Sequence, residues 1–151
     1  MTLMSENDAA AITVQADLTA RAPSGAGAIR VLYVEDNRLN ALLFEEALRD
    51  HPLLMLDIAE DAEDAVQVAH NKRPSVLVID AHLPSMTGYE LLPLLRGIPG
   101  LERVPAYMCS ADASPEDRAK ATRAGFDGYW CKPIDIGEIT TTLCRLARQK
   151  N

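Results

Sequence analysis

Three features are scarce in this chain, and each scarcity removes a class of function. Cysteine occurs only at Cys109, Cys131 and Cys144, and no two of them stand at a metal-ligand spacing. That rules out a zinc finger or a disulfide framework, and an odd count fits reduced, buried thiols in a cytoplasm. Positive charge is also short: 15 Lys and Arg face 22 Asp and Glu, for a net charge of −7. An acidic surface repels a phosphate backbone, which disfavours nucleic-acid binding. No apolar run approaches the roughly 18–20 residues a membrane span requires, and the N-terminus lacks the basic-then-apolar pattern of a secretory leader. The expectation is a cytoplasmic protein that engages neither membrane nor nucleic acid.

What the chain does have is length and apolar content. Its 151 residues are 48% hydrophobic, enough for one domain with a proper core. The most informative stretch runs from Pro74 to Gly88. Val76, Leu77, Val78 and Ile79 are apolar without alternation, the pattern of a strand buried on both faces. They lead into a lone carboxylate, Asp80, followed by a loop punctuated by Pro84 and Gly88. Asp80 is thus expected at the C-terminal end of a central parallel strand, the edge where open α/β sheets bind ligands. A carboxylate there is either a capping group or a reactive centre.

Residues 1–28 differ from the rest. They are rich in Ala, Thr, Ser and Gly and end in Pro23-Ser24-Gly25-Ala26-Gly27-Ala28, a linker composition. A flexible N-terminal extension is expected there, with a docking segment as the alternative. The folded domain is expected over 29–151. Ile29 to Val34 reads as a buried strand. Arg38 to Arg49 has helical spacing, with Leu43, Phe44, Ala47 and Leu48 as the core face. Leu53 to Ile58 is a second strand, and Asp61 opens a helix to about Asn71. After the strand into Asp80 come a short helix over Tyr89 to Arg96, in which Pro93 implies a first-turn position or a kink, and a strand over Val104 to Cys109. Ser114-Pro115 caps a helix that stops at Gly125. Tyr129 to Cys131 is a fifth strand, and the last helix opens at Asp135 or Gly137. Five alternations of strand and helix give a doubly wound parallel α/β sheet with helices on both faces.

The strand ends then bring chemistry together. The first strand supplies Glu35 and Asp36, the third Asp80, the fourth Ser110 and the fifth Lys132. Three adjacent carboxylates repel one another and require a counter-charge. An oxygen-only ligand set of this kind suits Mg²⁺. Helix capping would need one acid; two beside a third call for another reason. A metal-bound carboxylate with a Lys and a Ser nearby is equipped to accept a phosphoryl group.

From Ile29 to about Ala147 the chain resembles the receiver domain of the two-component response-regulator family. The resemblance rests on Leu32-Tyr33-Val34-Glu35-Asp36-Asn37, on Val76-Leu77-Val78-Ile79-Asp80 with Leu83-Pro84-Ser85-Met86-Thr87-Gly88, on Ser110-Ala111, and on Gly128-Tyr129-Trp130-Cys131-Lys132-Pro133-Ile134. It implies a flavodoxin-like five-stranded sheet of order 2-1-3-4-5. It also implies Asp80 as phosphoacceptor and Glu35, Asp36 and Asp80 as Mg²⁺ ligands, together with the backbone carbonyl of His82. Ser110 corresponds to the switch hydroxyl, Tyr129 to the switch aromatic and Lys132 to the phosphate-contacting lysine. The Lys132–Pro133 bond is expected to be cis. Glu35 stands where many members have Asp, a common variant. His82 and Asp112, two residues beyond the acceptor and the hydroxyl, occupy positions at which the family varies.

The expected switch is simple. Before phosphorylation Ser110 lacks a strong partner; afterwards it moves to the phosphoryl oxygens and Tyr129 turns into the vacated space. Leu39 and Leu42, off the core stripe of the first helix and beside the acids, suggest docking of a phosphodonor helix. The expected donor is a histidine kinase or a histidine phosphotransfer protein, and the output passes to a downstream protein. The resemblance implies a phosphoacceptor with at most slow self-dephosphorylation rather than an enzyme. A phosphohydrolase of the haloacid-dehalogenase type is the alternative, but it needs a second Asp where this chain has His82, and a cap domain. A receiver excised from a hybrid kinase is a further alternative, against which the initial Met1 argues weakly.

Overall fold

The structure, a computed structural model, describes residues 28–112 and 114–149. The extension expected over residues 1–28 thus lies outside the described residues, Ala28 excepted. The element order is β1 (Ile29–Val34), α1 (Arg38–Leu48), β2 (Leu54–Ala59), α2 (Ala62–Lys72), β3 (Val76–Asp80), α3 (Gly88–Arg96), β4 (Ala106–Ser110), α4 (Pro115–Ala124), β5 (Gly128–Cys131) and α5 (Ile136–Gln149). All strand pairs are parallel and the order is β2-β1-β3-β4-β5, as expected. No helix among the described residues is long and apolar enough to cross a membrane.

Local chemistry sets the helix boundaries. Each of the first four helices starts at a side chain that accepts a backbone N–H: Asn37, Asp61, Thr87 and Ser114. These contacts satisfy donors that a helix start leaves without partners. Thr87 and Glu90 form a reciprocal capping box. Gly125 closes α4 at φ 105, a left-handed geometry that glycine adopts without steric cost. Pro93 lies inside α3, past its first turn, so the first-turn placement does not hold.

Alternation along the strands divides the core in two. Val31, Tyr33, Val76, Val78, Cys109 and Trp130 face α1 and α5, where Phe44, Leu48, Ile139 and Leu143 meet them. Leu32, Val34, Leu77, Ile79, Ala106 and Met108 face α2, α3 and α4. The core stripe expected on α1 needs correcting. Phe44 and Leu48 are buried, but Leu43 is 51% exposed. A spacing of four residues keeps Phe44 and Leu48 on one line, and Leu43 is turned off it toward α5.

Gly88 fixes how closely α3 approaches the end of β3. Its N–H donates to the Ala81 carbonyl at 2.9 Å, and a Cβ there would stand 2.6 Å from the Asp80 carbonyl oxygen. The obstacle is backbone, so the loop after Asp80 must move. Gly88→Ala is expected to cost roughly 1–3 kcal/mol, as overpacking does, read as a lower urea midpoint. An unchanged midpoint would show that the loop yields freely.

Candidate functional site at the carboxyl edge of the sheet

Register carries the acids to one place. Val34 pairs with Ile79, so Glu35 and Asp80 follow side by side. Asp80 pairs with Cys109, and Ser110 with Cys131, so Lys132 leaves the sheet one step beyond the hydroxyl. Oxygens of Glu35, Asp36 and Asp80 all lie within 4.8 Å of one another. Glu35 and Asp80 are buried, at 2% and 5% exposure, while Asp36 is exposed.

Lys132 Nζ bridges the two buried acids, 2.9 Å from Glu35 Oε1 and 3.2 Å from Asp80 Oδ1. The Lys132–Pro133 bond is cis, as expected. Burial, and then the charge of Glu35, push the Asp80 carboxyl up to about 6, although Lys132 pulls the other way. Burial also disfavours the Glu35 charge, but the Lys132 ammonium and the Asn37 N–H outweigh it and hold that carboxyl below its usual range. Lys132 is itself desolvated, yet its two carboxylate partners keep it above the usual lysine value.

The site therefore holds more negative charge than one ammonium neutralises. An exposed carboxylate and two buried ones, all offering oxygen, suit a hard divalent ion such as Mg²⁺. His82 follows two residues after Asp80. Its N–H points at Asp80 Oδ1 from 3.5 Å, and it bridges to Thr87 across the loop.

Ser110 and Tyr129 sit differently. By alternation Ser110 lies with Ala106 and Met108 on the α3 and α4 side, whereas Glu35, Asp80 and Lys132 continue the α1 and α5 side. Ser110 is buried and its Oγ accepts the Asp112 N–H at 3.1 Å. The expectation that this hydroxyl lacks a partner is therefore corrected: the β4–α4 loop supplies one. The same residue's carbonyl accepts the Tyr129 hydroxyl at 2.6 Å, and the Arg118 guanidinium stands 5.1 Å from the Tyr129 ring centre. Tyr129 is thus tied to the loop that holds Ser110.

Leu39 and Leu42, three residues apart on α1, form a patch 65% and 55% exposed, and Leu43 and Ile136 are exposed as well. Beside it an apolar groove between α1 and the β5–α5 segment is lined by Leu43, Phe44, Ala47, Ile134 and Ile139, with Lys132 also in its wall. Sequence reasoning missed the support around Glu35. Its Oε1 accepts the buried Tyr33 hydroxyl at 2.9 Å and the Asn40 amide at 3.4 Å. The signal was present: Tyr33 and Glu35 are two apart on a strand, so they share a face, and a buried tyrosine hydroxyl needs a partner.

The family model described as "Response regulator receiver domain" matches residues 31–144. The chemotaxis protein CheY of Pseudomonas aeruginosa is 30% identical over 123 residues, covering 82% of this chain and 99% of that protein. The sensor histidine kinase AruS of the same species is 34% identical over 133 residues, which are 85% of this chain but 13% of the kinase. The chain spans about half the length of other curated relatives it matches. Among solved structures, the receiver domain of the sensor histidine kinase PA1611 from P. aeruginosa has magnesium coordinated in its active-site cleft. It matches with a TM-score of 0.70 and 29% identity, over 80% of this chain and 98% of that one. These likenesses do not favour the dehalogenase-type alternative. With a family match running from β1 into α5, and relatives that include both a free-standing protein and a kinase-borne domain, this chain belongs to the response-regulator receiver family, the signalling phosphoacceptor domain of two-component systems.

Proposed function

We propose that Asp80 accepts a phosphoryl group from a phosphohistidine and that Glu35, Asp36, Asp80 and the His82 carbonyl hold the Mg²⁺ this transfer uses. The observation that carries the reading is a buried carboxylate, Asp80, 3.2 Å from the Lys132 ammonium and within 4.8 Å of two further acids. An Asp80 oxygen attacks phosphorus as the bond to the donor imidazole nitrogen breaks, and the imidazole leaves with that electron pair. Lys132 stands where it donates to the arriving phosphoryl oxygens. When bound, Mg²⁺ supplies further neutralisation of those oxygens. The Ser110 hydroxyl donates a hydrogen bond to one of them, and Tyr129, linked through Asp112, carries the change to the α4–β5–α5 face. The energy of the switch is the differential interaction of the phosphoryl group with the two arrangements. The adduct hydrolyses slowly at most, so the chain acts as a signal carrier for a downstream protein rather than as a turnover enzyme.

The donor docks on Leu39, Leu42 and the neighbouring groove. The groove's wall includes Lys132, so a helix seated there presents its histidine at the site. Leu39→Asp is expected to slow transfer from a phosphorylated histidine kinase or phosphotransfer protein roughly tenfold, the loss of one apolar anchor. Labelling of Asp80 by acetyl phosphate should be unchanged. Equal loss from both donors would contradict docking at α1, and no transfer to the wild-type chain from any histidine donor would contradict the donor class.

A further inference from the structure

We infer that Tyr33, on the buried side of β1, is a positioning residue for the cation site, acting through Glu35. The inference rests on the reading of the acids as an Mg²⁺ site. Tyr33 is fully buried and its ring stacks on Phe44 at 4.2 Å. Its hydroxyl donates to Glu35 Oε1 at 2.9 Å, the same oxygen that takes the Lys132 ammonium at 2.9 Å. An oxygen with two short donors has its lone pairs committed. Oε2 receives the Asn37 N–H at 3.2 Å, and it is the atom left to serve a cation. The phenol thus fixes the rotation of the Glu35 carboxylate beside the neighbouring acids, and it anchors the group against which Lys132 is braced.

Packing makes this a constraint rather than a passing contact. The Tyr33 ring is held between the sheet and α1, so its hydroxyl cannot follow a Glu35 that moves. Phenylalanine keeps the ring and the stacking but sets an apolar edge against Oε1 where the phenol donated, leaving that oxygen the Lys132 ammonium and the longer Asn40 contact. A buried carboxylate oxygen short of a donor is costly. Glu35 then turns toward Asn40 and solvent, taking its carboxylate away from Asp36 and Asp80 and loosening Lys132. Residues that orient a metal ligand in this way typically change metal affinity by about tenfold or more when removed.

The test is an Mg²⁺ titration followed by the fluorescence of Trp130, the single tryptophan, two residues from Lys132 on β5. Tyr33→Phe is expected to bind Mg²⁺ about tenfold more weakly than the wild type, with its far-UV spectrum unchanged. Its labelling by acetyl phosphate should be slow at low Mg²⁺ and recover as Mg²⁺ saturates. Because Tyr33 acts through Glu35, the same change made in a Glu35→Ala chain should leave Mg²⁺ affinity unaltered, an absence of additivity that a general packing defect would not give. Equal or tighter Mg²⁺ binding by Tyr33→Phe overturns the inference, as does a full tenfold loss that persists without Glu35. A wild-type chain that binds no Mg²⁺ overturns the cation reading and this inference together, whereas wild-type binding matched by the variant overturns the inference alone.

Discussion

Asparagine at position 80 is expected to abolish phosphoryl transfer and to make the resting protein more stable above pH 6. The two effects share one cause. Asp80 is buried beside Glu35, and its carboxyl is raised from 3.8 to about 6. A folded-state value above the unfolded one means that the native protein holds the proton more tightly. Between roughly pH 4 and 6 the native state therefore binds more protons than the unfolded chain, and stability falls as pH rises through that window. Above it, the ionised Asp80 costs on the order of 3 kcal/mol. Asp80→Asn removes that cost and leaves Lys132 its shorter contact, 2.9 Å to Glu35. In metal-free buffer the variant should unfold at higher urea than the wild type at pH 7.5, with the difference closing near pH 4. Adding Mg²⁺ should stabilise the wild type more than the variant, since a ligand that binds only the native state adds stability by mass action. A variant less stable than the wild type at pH 7.5 would mean that the acids do not repel as their spacing requires.

Lys132→Met should act in the opposite direction. Among the described residues it removes the only side-chain ammonium paired with both buried acids and leaves Glu35, at 2% exposure, with neutral donors alone. Removing one partner of a buried pair strands the other charge, typically at 3–5 kcal/mol. Here the low end, about 3 kcal/mol, is expected, because the lysine side chain is 20% exposed. A second change, Glu35→Gln, should restore most of the loss, since it removes the stranded charge. Phosphorylation of Asp80 should fall by about a hundredfold or more in the single variant, the usual effect of deleting a donor aimed at developing charge. Denaturation of the single and double variants at pH 7.5 reads the first effect, and the rate of labelling by acetyl phosphate the second. A single variant as stable as the wild type would show that Glu35 is effectively solvated.

The framework of this protein is legible because its local rules agree. An unbroken Val76–Ile79 run can only be an interior strand, Ser114-Pro115 can hardly be anything but a helix start, and five such units force a parallel sheet. The acids are legible because three at neighbouring strand ends have no cheap structural use. What was not legible follows from rotation and side. Helical spacing grouped Leu43 with Phe44, but how a helix is turned about its axis is set by the surface it packs on. Likewise, a list of residues at strand ends does not say which side of the sheet each one serves. Ser110 continues the Met108 side and is held by Asp112, so the hydroxyl and Tyr129 form a unit separate from the Glu35–Lys132–Asp80 row. The Tyr33–Glu35 bond lies between these cases, visible as a two-residue spacing once the strand is known.

The central claim is that Asp80 carries the phosphoryl group. The most direct measurement is to incubate the protein with acetyl phosphate and Mg²⁺, reduce the adduct with borohydride and map the peptides, since reduction of an acyl phosphate converts aspartate to homoserine. Stoichiometric homoserine at position 80, absent when Mg²⁺ is chelated, is the predicted result. Modification at Glu35, Asp36 or Ser110 in its place, or steady turnover of acetyl phosphate with no adduct at Asp80, would contradict it.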